Sequence, residues 1–131
     1  DRVLVDAPCT GMGTLRRNPD LKWRQNQQAV DEMTVKQTAI LQSAARLLKP
    51  GGRLVYATCS VLPQENEAIA LAFSEANPDF VPLDVAEVLK GIKVENAENL
   101  CSGGDNQQKY LRLWPHRHQT DGFFAAVWQR Q

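Results

Sequence analysis

Two of the three cysteines stand where strands should run out into loops. Cys9 lies in Asp6-Ala7-Pro8-Cys9-Thr10-Gly11, directly after the apolar run Val3-Leu4-Val5. Cys59 lies in Ala57-Thr58-Cys59-Ser60, directly after Leu54-Val55-Tyr56. In an open parallel α/β sheet the carboxyl ends of the strands line the ligand crevice. Two thiols at neighbouring strand ends therefore face one reaction space, and this is a site pattern more than a core pattern. A thiol redox pair would call for Cys-x-x-Cys spacing, whereas these two stand fifty residues apart. Free cysteine is often a small buried hydrophobe, and Cys101 takes that reading. Pro-Cys-Thr-Gly leaves Cys9 no helix or strand to fill, and Cys59 is flanked by hydroxyls.

The elements that position these residues follow from periodicity and punctuation. Residues 2–6 form a short apolar strand ended by Pro8 and Gly11. Residues 10–25 read as a loop. From about Gln27 to Leu48, apolar Val30, Met33, Ile40, Leu41, Ala44, Leu47 and Leu48 recur at helical spacing. Lys49-Pro50-Gly51-Gly52 stops that helix. Residues 53–58 form a second buried strand. Pro63 opens another helix, with Glu65 and Glu67 near its start to complement the macrodipole, and it fades near Asn77-Pro78. Residues 90–108 read as a loop. Lys109–Trp114 and Phe123–Trp128 read as an antiparallel pair of strands. A strand-helix-strand crossover implies a parallel pair with a right-handed connection. The sheet is thus mixed, with an edge strand running against the parallel ones.

Length and composition bound the rest. The chain has 131 residues, enough for one domain with a core. Fifteen basic and fifteen acidic residues cancel, so net charge alone points to no polyanionic partner. No apolar run approaches the roughly 20 residues a membrane helix needs. Three cysteines without small-scaffold spacing suit reduced thiols and a cytoplasmic location. His116 and His118 have no cysteine or carboxylate at ligand spacing, so they read as polar loop residues and no metal is expected.

The motifs carry a family resemblance. In order along the chain stand Asp6-Ala7-Pro8-Cys9-Thr10-Gly11-Met12-Gly13 and Arg16-Arg17-Asn18-Pro19-Asp20, then Ala57-Thr58-Cys59-Ser60 and Pro63-Gln64-Glu65-Asn66-Glu67. Arg112-Leu113-Trp114-Pro115-His116 and Thr120-Asp121-Gly122-Phe123-Phe124 close the series. Together they resemble the successive motifs of the Nol/Nop/Sun family of RNA cytosine-C5 methyltransferases, across nearly the whole chain except around residues 85–105. The run from Arg16 to Trp23 is most similar to the bacterial Sun/Fmu branch, which acts on 16S ribosomal RNA.

The resemblance implies a fold, a chemistry and a set of roles. The fold is α/β, the C-terminal portion of a Rossmann-like AdoMet-dependent methyltransferase sheet, with parallel strands ending in an antiparallel pair. Carbon 5 of cytosine is too weak a nucleophile to take a methyl group unaided. A thiolate adding to carbon 6 makes it one, and covalent catalysis divides the hard step. The family's Thr-Cys cysteine, here Cys59, supplies that thiolate, and its Pro-Cys cysteine, here Cys9, helps release product. DNA cytosine methyltransferases use a Pro-Cys nucleophile instead, and that assignment is rejected for Cys9. Asp6 would meet N3 and the exocyclic amino group of the pyrimidine, and Asp6 with Pro8 would also touch the cofactor, S-adenosyl-L-methionine. Pro8, Thr58, Asp121 and Gly122 are expected at the substrate, with Gly122 allowing its close approach. Arg16, Arg17, Lys22 and Arg24, around Trp23, are expected to contact RNA phosphate and unpaired bases.

The cofactor's glycine-rich loop and acidic strand-end partner are not found among these residues. Residues 1–131 are therefore expected to be the C-terminal half of a catalytic domain, inactive alone and monomeric when full length. The expected partner is ribosomal RNA, 16S above all, with no membrane. Two other readings stay open: a transfer-RNA cytosine-C5 methyltransferase, and a non-catalytic RNA-binding module of methyltransferase-like fold. The second predicts decay of a cysteine motif, and both are intact.

Overall fold

Short apolar runs carry Arg2–Asp6 (β1) and Arg53–Thr58 (β2) into a parallel pair in which Asp6 stands opposite Ala57. The structure is a computed structural model that describes residues 1–15, 17–20, 26–103, 109–118 and 120–131. Between the two strands runs α1 (Gln27–Ala45), whose first turn is closed by Asn26 accepting a 2.8 Å hydrogen bond from the Ala29 amide. Asn26→Ala should lower stability by about 1 kcal/mol in a denaturant titration, the usual worth of such a cap. The helix stops at Ala45 rather than Leu48, and a turn delivers Leu48 into the core. Ile40 and Leu47, counted on the apolar stripe, are exposed, whereas Gln37 is wholly buried.

After β2 come α2 (Glu67–Ala76), β3 (Phe80–Leu83), α3 (Val85–Gly91), a 3-10 turn at Ala97–Leu100 and β4 (Cys101–Gly103). The chain ends with β5 (Lys109–Leu113), the single-turn α4 (Pro115–His118) and β6 (Phe123–Arg130). The expected antiparallel closing pair is present, with Leu111 opposite Ala125. However, β6 is not at the edge. It inserts beside β2, Thr58 opposite Phe124, and its far side is shared by β5 at its start and β3 at its end. The sheet order is β1-β2-β6-β5-β4.

Several elements depart from the sequence reading. β3 contains Pro82, which lacks an N–H and argues against a strand. It is tolerated because β3 has β6 as its strand partner and Pro82 sits opposite Trp128. α3 is one short helix that precedes the expected loop and overlaps only its first two residues, started by Asp84 accepting from the Ala86 amide at 2.9 Å, while the 3-10 turn and β4 fall inside that loop. α2 begins at Glu67, not at Pro63, and residues 63–66 form a turn.

The core lies where α1 and α2 cover one face of the sheet. Leu41, Ala44 and Leu48 meet Ile69, Ala70 and Phe73 over Leu54, Tyr56, Phe124, Ala126 and Trp128. Trp128 is fully buried, edge-on to Phe73 at 4.9 Å between ring centres, and donates to Ser74 Oγ at 2.9 Å. This packing fixes the strand ends that carry the two cysteine turns.

Candidate active site

The parallel ladder runs one residue past β1, with the Ala7 amide donating to the Ala57 carbonyl at 2.9 Å. Pro8 then turns the chain, and the turns after β1 and β2 bring Cys9 Sγ and Cys59 Sγ to 3.2 Å. Both are free, half-buried thiols. Burial pushes the Cys9 thiol up to about 12, reinforced by its hydrogen bond to Cys59 and by the charge there. Cys9 therefore keeps its proton at neutral pH.

One carboxylate joins the two turns. Glu65 is fully buried, and its Oε1 accepts from the Thr10 amide at 2.8 Å and from Gln37 Nε2 at 3.2 Å. Its Oε2 accepts from Thr10 Oγ1 at 2.8 Å and from Ser60 Oγ. Gln37 also donates to the Pro8 carbonyl at 2.8 Å, and Tyr56 OH donates to the Glu65 carbonyl at 2.7 Å. Burial and the nearby Glu65 charge hold the Tyr56 phenol well above its ordinary range. Asn66 completes the cage by accepting from Thr58 Oγ1 at 2.6 Å and donating to the Ser60 carbonyl at 2.9 Å. That use of its side chain explains why Asn66 does not cap α2.

A third segment closes over the site. The Gly13 amide donates to the Cys59 carbonyl at 2.9 Å, and the Gly122 amide donates to the Gly13 carbonyl at 2.7 Å. Next to them Arg17 Nε donates to Asp121 Oδ2 at 2.7 Å, tying the loop after β1 to the loop before β6. The hydrogen bond and charge of Asp121 raise the Arg17 guanidinium above its ordinary range.

Several expected residues are thus drawn together: Cys9 and Cys59 at the centre, Asp6 and Pro8 exposed at the end of β1, Arg17 and Asp121 at the rim. Two of the expected residues are engaged within the protein itself. Thr58, expected at the substrate, is fully buried, and its hydroxyl is engaged with Asn66 and the Ser60 amide. Gly122 packs closely against Val61 and the backbone of Gly13, where an added Cβ would lie 2.9 Å from Gly13 Cα. Glu65, read as a partner of the helix dipole, is instead the buried centre of the site. Arg16, Lys22 and Arg24, with Trp23, lie outside the described residues.

Sequence reasoning passed over Gln37, Glu65, Asn66 and Arg112 as site residues. Arg112 is almost buried between the rings of Tyr110 and Phe124, at 5.7 and 5.4 Å from their centres, and pairs with Glu67. Burial lowers its guanidinium below the ordinary value. The signal was present in Pro63-Gln64-Glu65-Asn66-Glu67 and in the lone arginine between Tyr110 and Trp114. His118 is spent on backbone: its Nδ1 accepts from the Trp114 amide at 3.0 Å, and its Nε2 lies 2.8 Å from the Asn99 carbonyl. No described helix is long and apolar enough to cross a membrane.

The arrangement has relatives. The model of the family described as 16S rRNA methyltransferase RsmB/F matches residues 1–129. The ribosomal RNA small subunit methyltransferase B of Salmonella arizonae is 51% identical over 126 residues, 96% of this chain and 25% of that protein. A probable ribosomal RNA small subunit methyltransferase B of Synechocystis is 40% identical over 126 residues, 96% of this chain and 26% of that protein. The chain thus spans about a quarter of the length of the curated relatives it matches. Among solved structures, PH0851 superposes with a TM-score of 0.83 at 40% identity, covering 99% of this chain and 26% of that one. NSun6 from Pyrococcus horikoshii, solved with SFG, gives 0.74 at 28% identity, covering 97% of this chain and 29% of that one.

Proposed function

This chain belongs to the 16S rRNA methyltransferase RsmB/F family, and from that membership we propose that it forms the C-terminal, thiol-bearing half of a catalytic domain that methylates carbon 5 of cytosine in ribosomal RNA, 16S above all. The observation that carries this reading is the pair of sulfurs at 3.2 Å on the ends of two parallel strands. Cys59 adds to carbon 6, so a C–S bond forms as the 5,6 double bond opens and carbon 5 becomes nucleophilic. Once carbon 5 is methylated, a base takes its proton, the double bond re-forms, and Cys59 leaves as thiolate. A sulfur leaves more readily when a hydrogen-bond donor meets its growing charge. Cys9, holding its proton 3.2 Å away, is that donor.

Asp6, exposed at the strand end, suits the N3 and amino edge of the base, and Arg17 with Asp121 borders the entry. A target in a duplex must first be flipped out to reach these groups. S-adenosyl-L-methionine, when bound, supplies the methyl group as an electrophile. Asp6 and Pro8 at the end of β1 fit one wall of its site, in the crevice position such sheets use. A strand-following glycine-rich loop is not among these residues, so the rest of that site is assigned to other parts of the protein.

The test uses the full-length protein with RNA carrying 5-fluorocytosine, from which the carbon 5 substituent cannot be lost as a proton. A covalent adduct mapping to Cys59 is expected. Cys9→Ala should still bond the base but release it slowly, so that adduct accumulates on ordinary RNA. An adduct on Cys9, or none on either cysteine, overturns the assignment.

A further inference from the structure

Each reactive sulfur is followed by a residue bound to the same carboxylate. Thr10 follows Cys9 and holds Glu65 with both its amide and its hydroxyl, each at 2.8 Å. Ser60 follows Cys59 and holds the other lone pair of Glu65 Oε2 through its hydroxyl. With Gln37 Nε2 the four acceptor positions of the carboxylate are filled, all by donors. Glu65 itself is anchored, because it precedes α2 and its carbonyl accepts from Tyr56 of β2. The two turns come from segments about fifty residues apart and share no covalent link.

We propose that Glu65 is a positioning residue that sets the separation of the two sulfurs by stapling the turn behind each to one carboxylate. The proposal deepens the function above and rests on it for its catalytic consequence, but the geometry it asserts is measurable without any methylation. A methionine at this position keeps about the length of the side chain and removes both acceptor oxygens. The Thr10 amide and hydroxyl, the Ser60 hydroxyl and the Gln37 amide then lose their shared acceptor, and the staple opens.

The probe is diamide, which takes up the two hydrogens of a thiol pair and leaves an S–S bond. The Cys9–Cys59 cross-linked peptide is quantified over time by mass spectrometry in the full-length protein. Glu65→Met should slow cross-linking about tenfold or more, since a misplacement near 1 Å suffices for such losses between reacting groups. Phe73→Leu loosens the core at the opposite end and should stay within about twofold of the parent protein, as should any change that acts only through overall stability. Should Glu65→Met fail to fold, Thr10→Val and Ser60→Ala, each removing one hydroxyl donor, are read by the same criterion. Unchanged cross-linking in these variants, equal slowing in Phe73→Leu, or no cross-link in the parent overturns the proposal. Loss of methylation with intact cross-linking would instead count against the function and leave the staple standing.

Discussion

Cys59→Ser is expected to reduce methyl transfer by about 10⁴-fold or more, the scale on which loss of a covalent nucleophile acts. Serine keeps the size of the side chain and can still exchange a hydrogen bond with Cys9, which lies 3.2 Å from the native sulfur. It does not become an anion near neutral pH, and thiolate is the attacking species. The turn that carries the residue does not depend on the sulfur. Its carbonyl is held by the Gly13 amide, and the flanking Thr58 and Ser60 side chains are held by Asn66 and Glu65. Folding and RNA affinity should therefore match the parent protein while the 5-fluorocytosine adduct disappears. The contrast with Cys9→Ala separates the two thiols, because one variant forms no adduct and the other accumulates it. Residual methylation above about 1% of parent would show that the carbon 6 bond is made by another group.

How much of this was legible beforehand depends on the range of the forces involved. β1 and β2 are apolar runs ended by Pro8 and by the polar Thr58-Cys59-Ser60, so local pattern locates the two cysteines at strand ends. That β6 lies between β2 and β5 depends on pairings such as Thr58 with Phe124, which no periodicity encodes. β4 has three residues and β3 four with a proline, too little for a period-2 signal. The same boundary runs through the site. A glutamate near a helix start looks like a dipole partner, and only the fold brings Thr10, 55 residues away, onto its carboxylate. Thr58 carries a hydroxyl suited equally to substrate or to a buried asparagine, and the tertiary neighbour decides. Gly122 announced a close approach, yet its partner Gly13 is more than a hundred residues distant in sequence.

Gly13→Ala is expected to be the most damaging single-methyl change near the site. A Cβ at residue 13 would stand 2.4 Å from the Cys59 carbonyl oxygen and 2.4 Å from that of Gly122. Both obstacles are backbone, so no rotamer change relieves them. The overpacking alone costs about 1–3 kcal/mol. Relief by moving the loop breaks Gly13 N–H to Cys59 O and Gly122 N–H to Gly13 O, each contributing about 1 kcal/mol. A stability loss near 3 kcal/mol in a denaturant titration is the expected result. The functional consequence is separate. Gly13 follows the Cys9 turn and bonds the carbonyl of Cys59 itself, so displacing it shifts one sulfur relative to the other. Methylation should fall further than stability explains, and it should not recover at low temperature, where the folded fraction is restored. Full activity in the folded variant would mean that the Gly13 strap shapes the fold and has no part in aligning the thiols.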